Sequence, residues 1–314
     1  MELSELCSES RVIIVAGKGG VGKTTVSAAL AVAAARAGRR ALVVELEGKS
    51  GLPAIFGPPV GAEVYPNVSV LALAPEEALV EYLEAHGLGR VSKRLANSGA
   101  LDIVATAVPG MKDILVLGKV KALQRAGGAD VIVVDGPATG HAVTFLLSSR
   151  GVLDAVRVGP VLTQATDVSE MLADPERTRV VLVTVPEETP VNETTEAVER
   201  LTAAGGITLG PVVVNGVYPE RNVPGGGDPE ATSAALEAAG VTVEGAEADQ
   251  LARAAWFLAR RRELQRRQLD RLASAVGGAT VELPFLFGAD LGTAEIEVLA
   301  DALTEGMRAL APAP

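Results

Sequence analysis

The stretch AGKGGVGKTT, residues 16–25, carries two glycine patterns at once. Gly17, Gly19 and Gly22 satisfy G-x-G-x-x-G, the turn that binds dinucleotides. Gly17, Gly22, Lys23 and Thr24 satisfy G-x-x-x-x-G-K-[ST], the phosphate-binding P-loop. The two readings describe different proteins, a redox enzyme or a nucleotide hydrolase. A second lysine, Lys18, lies inside the loop, and neither pattern asks for it.

Both readings need a strand before the glycines and a helix after them. The apolar run RVIIVA (11–16) and the Ala-rich stretch 23–37 supply these. A dinucleotide site also wants an acid at the end of the next strand, and Glu45 stands there. The P-loop accounts for more residues. Its peptide N–H groups, from Gly17, Lys18, Gly19, Gly20, Val21 and Gly22 to Lys23, Thr24 and Thr25, would cradle phosphate oxygens at a helix N-terminus. Lys23 would reach the β- and γ-phosphates, and the Thr24 hydroxyl would ligate Mg²⁺. The strand VIVVD (131–135) ends in Asp135, which can hold the water shell of that metal. A dinucleotide site has no use for Lys-Thr after its last glycine.

The rest of the chain suits such a domain. With 314 residues there is ample length for a large core. Apolar residues make up 48% but aromatics only 3%, so the apolar mass is Ala, Val and Leu, as in helices packed on a parallel sheet. A net charge of −11 disfavours nucleic acid as a partner. The single cysteine, Cys7, excludes an internal disulfide and a Cys-x-x-Cys zinc site. With no basic-apolar-small leader and no apolar run of about 20 residues, the expectation is a cytoplasmic protein.

Further short Val/Ile/Leu runs read as buried strands: 41–46, 68–73, 131–135, 179–185, 211–215 and 280–285. Helical stretches alternate with them, including 190–206, which opens with Pro and closes with Gly. This βαβα order predicts one α/β domain over 1–314, a doubly wound, mostly parallel sheet flanked by helices. Residues 75–128 and 151–178 are longer than crossover helices require and predict an inserted helical subdomain. After the turn-rich linker 219–230, residues 251–273 form one helix with seven arginines, read as a solvated face. His86, just before Gly87, reads as a dipole partner at a helix end.

At this point the sequence resembles a family. GKGGVGKTT is similar to the deviant Walker A loop of the SIMIBI-type ATPases, which include the MinD and ParA proteins, the nitrogenase iron protein and the ArsA/Get group. DGPATGH (135–141) resembles the switch II loop of the ArsA/Get group, DTAPTGH. MLADPERTRVVLVTVPEETPVNET (171–194) resembles its L-x-DPERT…V-x-x-PE…ET block, and PGMKDILVLGKV (109–120) its entry to the helical subdomain. The resemblance runs along nearly the whole chain in family order. It implies a P-loop ATPase of the ArsA type that uses ATP and Mg. It implies that Lys18 crosses a dimer interface to the partner's phosphates. It also implies that Asn215 reads adenine, that a late loop with Pro284 and Phe285 closes over the base, and that Gly136, Pro137, Thr139, Gly140 and His141 form a switch coupling the γ-phosphate to the helical subdomain.

The departures sharpen this. Where the family has D-P-A-H-S, this chain has ELEGKSGLPAIFG (45–57), which puts Glu47 at the position that orients the attacking water. Glu45, two residues earlier, is the second candidate. With Cys7 alone, an arsenite-thiolate site, the zinc seam of the targeting members and the cluster of the iron protein are not expected. The methionines are only Met1, Met111, Met171 and Met307, so a Met-rich client groove is not supported. The expected protein is a homodimer, or a heterodimer with a paralogous ATPase subunit, that switches a helical subdomain for a membrane-protein or hydrophobic client. The alternatives are a MinD/ParA-like positioning ATPase, a weakly hydrolysing nucleotide-binding scaffold, and the dinucleotide-binding redox protein. The C-terminal LADALTEGMRALAPAP holds one arginine, unlike a basic membrane-binding helix.

Overall fold

The computed structural model describes residues 6, 12–46, 51–57, 63–85, 87, 89–90, 110–220, 228–241, 245–277, 279–288 and 290–310, with backbone alone at 85, 138–141 and 245. Glu47, Cys7 and His86 lie outside the described residues.

The chain opens with strand β1 (Val12–Gly17), every residue of it buried, and passes through the glycine loop into helix α1 (Lys23–Arg36). Strand β2 (Ala41–Leu46) leads to the short helix α2 (Gly51–Phe56) and a hairpin of β3 (Glu63–Tyr65) and β4 (Val68–Leu73). Helices α3 (Pro75–Ala85) and α4 (Met111–Ala126) precede β5 (Val131–Ala138). Then come α5 (Thr139–Ala155), α6 (Pro160–Ala173), β6 (Thr178–Thr184), α7 (Glu188–Ala204) and β7 (Val212–Val217). Helices α8 (Pro229–Ala238) and α9 (Gly245–Ala275), strand β8 (Thr280–Pro284) and helix α10 (Thr293–Leu310) complete the described elements.

The strands form one sheet in the order β3-β4-β2-β5-β1-β6-β7-β8. All neighbours are parallel except the hairpin β3–β4. Strands β2 and β4 occupy the expected positions, and the other expected strands shift by up to a few residues at their ends. Strand β3 was not expected. It is three residues long, and its turn at Pro66-Asn67 depends on Asn67 at φ 62°, a left-handed conformation that Asn tolerates.

Alternation along each strand splits the core in two. Ile13, Val15, Val43, Val133, Val181, Val183 and Val213 face α1 and α10. Eleven of the fourteen residues of α1 are buried, six of them alanines. Small side chains let this helix lie between the sheet and α10. Ile14, Val44, Ile132, Val134, Val180, Leu182 and Val214 face the other way, against apolar residues of α3–α7 and Leu272 of α9. A smaller outer cluster, Ile114, Val152 and Ala165, joins α4, α5 and α6. Helices α3, α4 and α6 and the end of α5 are the described parts of 75–128 and 151–178. No helix among the described residues is long and apolar enough to cross a membrane.

Candidate nucleotide site

Strand β1, the first among the described residues, lies in the middle of the sheet, with β5 on one side and β6 on the other. Open parallel sheets bind ligands beyond the carboxyl ends of such strands, and the glycine loop leaves β1 there. Its geometry requires glycine. A Cβ at Gly17 would stand 2.2 Å from the Val183 carbonyl oxygen of β6, and Gly20 and Gly22 have φ of 85° and 87°. Gly22 is the N-cap of α1 and offers no side chain to its first turn, which also lacks an acidic residue. The N-terminal N–H groups of α1 and the positive end of its dipole therefore face the hollow of the loop.

Lys23 is buried, and its Nζ donates to the Lys18 carbonyl at 2.9 Å, so its side chain is folded over the loop. Thr24 Oγ1 donates to Asp135 Oδ2 at 2.7 Å. Asp135 is fully buried in β5, three residues before the strand ends, in register with Val15 of β1 and Glu45 of β2. A hydroxyl and a buried carboxylate at hydrogen-bonding distance beside a phosphate-shaped loop fit hydrated Mg²⁺, a hard cation with oxygen ligands. No other residue type fits at Gly136 either, because a Cβ there would meet the Val15 carbonyl oxygen at 2.5 Å. Pro137 follows it on the same strand, and Thr139, Gly140 and His141 begin α5, their side chains outside the described residues.

Glu45, the second candidate for orienting water, is enclosed near the end of β2. Its carboxylate is 2% exposed and accepts the Leu52 N–H of α2 at 3.3 Å. Helix α2 lies against the loop: a Cβ at Gly51 would be 2.7 Å from the Thr24 methyl group. Glu45 thus ties the start of α2 to the end of β2. Lys18 leaves the loop on the outside, where its Nζ donates to Glu193 Oε1 of α7 at 2.6 Å.

Beyond the loop a cleft of about 380 Å³ opens between the ends of β6, β7 and β8 and helix α9. Gly20, Val21, Gly22, Thr25, Asn215, Pro284 and Phe285 line it, which brings the loop together with all three residues assigned to the base. Asn215 Nδ2 donates to the Val21 carbonyl at 3.0 Å. The sequence reading missed Tyr218, Glu187, Arg261 and Gln265, which also line the cleft. Tyr218 stacks on Phe285 with ring centroids 4.8 Å apart, and Phe287 meets Phe285 edge-on at 5.0 Å. Arg261 stands 5.9 Å from the Tyr218 ring centre and 3.5 Å from Glu187.

Comparison with known proteins identifies the family. The model of the anion-transporting ATPase family matches residues 10–156 and 154–226, which include the loop, Asp135, Glu193, Asn215 and Tyr218. The ATPase BagA of Mycobacterium tuberculosis is 36% identical over 243 residues, 72% of this chain and 69% of that protein. The ATPase get3 of Schizosaccharomyces japonicus is 30% identical over 139 residues, 43% of this chain and 42% of that protein. The glycine ambiguity is thereby resolved in favour of the P-loop: the chain belongs to the anion-transporting ATPase family and is an ATPase.

Proposed function

We propose that the chain is a Mg-dependent ATPase that dimerises around ATP and uses hydrolysis to reshape a helical subdomain, built from 75–128 and 151–178, for a membrane-protein or hydrophobic client in the cytoplasm. The observation that carries this is the convergence of the glycine loop, the folded Lys23 and the 2.7 Å Thr24–Asp135 bond at the end of β1.

In this reading the loop N–H groups and Lys23 hold the phosphates, and Asn215, Pro284 and Phe285 hold the base. Mg²⁺, held by Thr24 and through water by Asp135, would neutralise charge on the phosphates. Glu47 orients the water for in-line attack. Lys23 and the partner's Lys18 stabilise charge on the transferring group. Gly136, Pro137, Thr139, Gly140 and His141 respond to the loss of phosphate and pass the change to α5. The partner subunit is a second copy or a paralogue.

The test is the Mg-ATPase rate per subunit across a wide range of protein concentration, with Lys18→Ala alongside. A rate that rises with concentration and collapses in Lys18→Ala is expected. A rate independent of concentration and unchanged in the variant would remove the dimer from the mechanism.

A further inference from the structure

Gln265 is the one buried polar residue of α9 among the described residues, with 4% of its surface exposed, and both ends of its amide are hydrogen-bonded. Its Oε1 accepts the Tyr218 N–H at 2.8 Å, and its Nε2 donates to the Gly216 carbonyl at 3.1 Å. These two peptide groups flank Val217 at the end of β7. The strand needs such support here. Its register with β8 shifts between Val214 and Val217, and Gly216 has φ 72°, so the regular ladder is broken beside Asn215. One primary amide bonds both of these peptide groups. A donor and an acceptor on one planar group, on a stem long enough to reach from a helix axis, are specific to Gln.

The segment that Gln265 holds carries the nucleoside side of the cleft. Immediately before it, Asn215 is hydrogen-bonded to the glycine loop at Val21. At its end, the Tyr218 ring is stacked on Phe285. We propose that Gln265 is a positioning residue for the nucleoside end of the ATP site, fixing Asn215 and the Tyr218–Phe285 pair and so setting the affinity for the nucleoside and the preference for adenine over guanine. This rests on the nucleotide-site reading above. It also gives α9 a role besides that of a solvated arginine helix: one turn of it is the back wall of the base cleft.

The phosphate end of the site lies at the loop and owes nothing to α9, and the test uses this separation. Binding of MgADP and of inorganic tripolyphosphate is measured by calorimetry for the wild type, Gln265→Leu and Gln265→Glu, together with kcat and KM for ATP and GTP. In Gln265→Leu, MgADP should bind about 10-fold more weakly, because two hydrogen bonds to buried peptide groups are lost. Tripolyphosphate binding should stay within about twofold of the wild type, since none of its contacts are touched. KM for ATP should rise more than kcat falls, and the ATP-over-GTP preference should shrink. Gln265→Glu keeps the acceptor for Tyr218 but sets a carboxylate against the Gly216 carbonyl. It should resemble Gln265→Leu, because a carboxylate cannot donate to that carbonyl. Equal weakening of MgADP and tripolyphosphate, or unchanged MgADP binding and base preference, would overturn the proposal. A wild type that binds neither ligand would instead overturn the reading of the site beneath it.

Discussion

Lys18 and Glu193 are bonded at 2.6 Å within one subunit, although they lie 175 positions apart in the chain. The glycine loop throws Lys18 outward, and the first turns of α7 present Glu193 to it. A lysine that acts on a partner's phosphates must first leave this carboxylate. The two side chains are 34% and 37% exposed, so water and salt screen the pair, and it holds Lys18 by no more than about 0.2–1 kcal/mol. Glu193→Gln should therefore lower the protein concentration at half-maximal ATPase rate by about 1.5- to 5-fold, the equivalent of that energy. The gain should shrink between 50 and 300 mM salt as the wild-type pair weakens. Activity plotted against protein concentration at two ionic strengths measures both effects. A rise in the half-maximal concentration would mean that Glu193 serves the assembled state instead.

The bond between Thr24 and Asp135 sets the metal prediction. Asp135 is buried and aligned by a central strand, so its role does not depend on a flexible side chain. Asp135→Asn still accepts from Thr24 but removes the charge that, on the proposed reading, would hold the metal's water shell. Loss of such an outer partner costs about 10- to 100-fold in metal affinity. The Mg²⁺ concentration at half-maximal rate should rise by that factor, with MgADP binding affected and metal-free ADP binding nearly unchanged. An unaltered Mg²⁺ titration would remove Asp135 from the metal shell.

The loop end of the candidate site was legible because its backbone constraints are written in consecutive residues. Gly17, Gly20, Gly22, Lys23 and Thr24 each answer a local requirement of close approach, left-handed backbone or charge at a helix start. The sheet was legible for a related reason, since parallel strands buried on both faces are apolar throughout. The nucleoside end is tertiary. Tyr218 and Gln265 are 47 positions apart, and only the packing of α9 on β7 joins them. A signal did exist: Gln265 falls in the same stripe of the helix as Leu258, Leu269 and Leu272, a polar residue on the inner face. Seven neighbouring arginines hid it. An acid at a strand end such as Glu45 suits several roles, and only the position of α2 reveals that it binds a peptide N–H. Strand β3 is too short to show alternation.

Two glycines of the loop should behave differently when each gains a methyl group. Both have φ near 85°, where an L-residue is strained by about 1–2 kcal/mol. Nothing lies within 4 Å of a Cβ at Gly20, so Gly20→Ala bears that strain alone. A Cβ at Gly22 would meet Asn215 Nδ2 at 2.2 Å and displace that amide from the Val21 carbonyl. Gly20→Ala should remain folded and bind MgADP up to about 30-fold more weakly, the equivalent of 2 kcal/mol. Gly22→Ala should lose measurable binding. Calorimetry with thermal unfolding separates lost binding from lost fold, and equal effects would contradict the contact.

The last prediction concerns acid. Lys121 of α4 is buried and hydrogen-bonds Asp167 of α6, joining two helices of the layer that covers the second sheet face. The Lys121 ammonium beside it holds the Asp167 carboxyl below its ordinary value of 3.8. The folded state therefore favours the charged carboxylate. Its contribution is complete above the unfolded pKa and is lost as the pH falls below about 4 and through the lower folded value. Asp167→Asn should cost about 1–3 kcal/mol at pH 7, the range for a hydrogen bond to a charged group. The gap between variant and wild type should stay flat down to pH 5 and close toward pH 3. Denaturant midpoints at pH 7, 5, 4 and 3 measure it. A gap that closes already between pH 7 and 5 would assign the effect to another group, because a depressed carboxylate has no protons to gain in that interval.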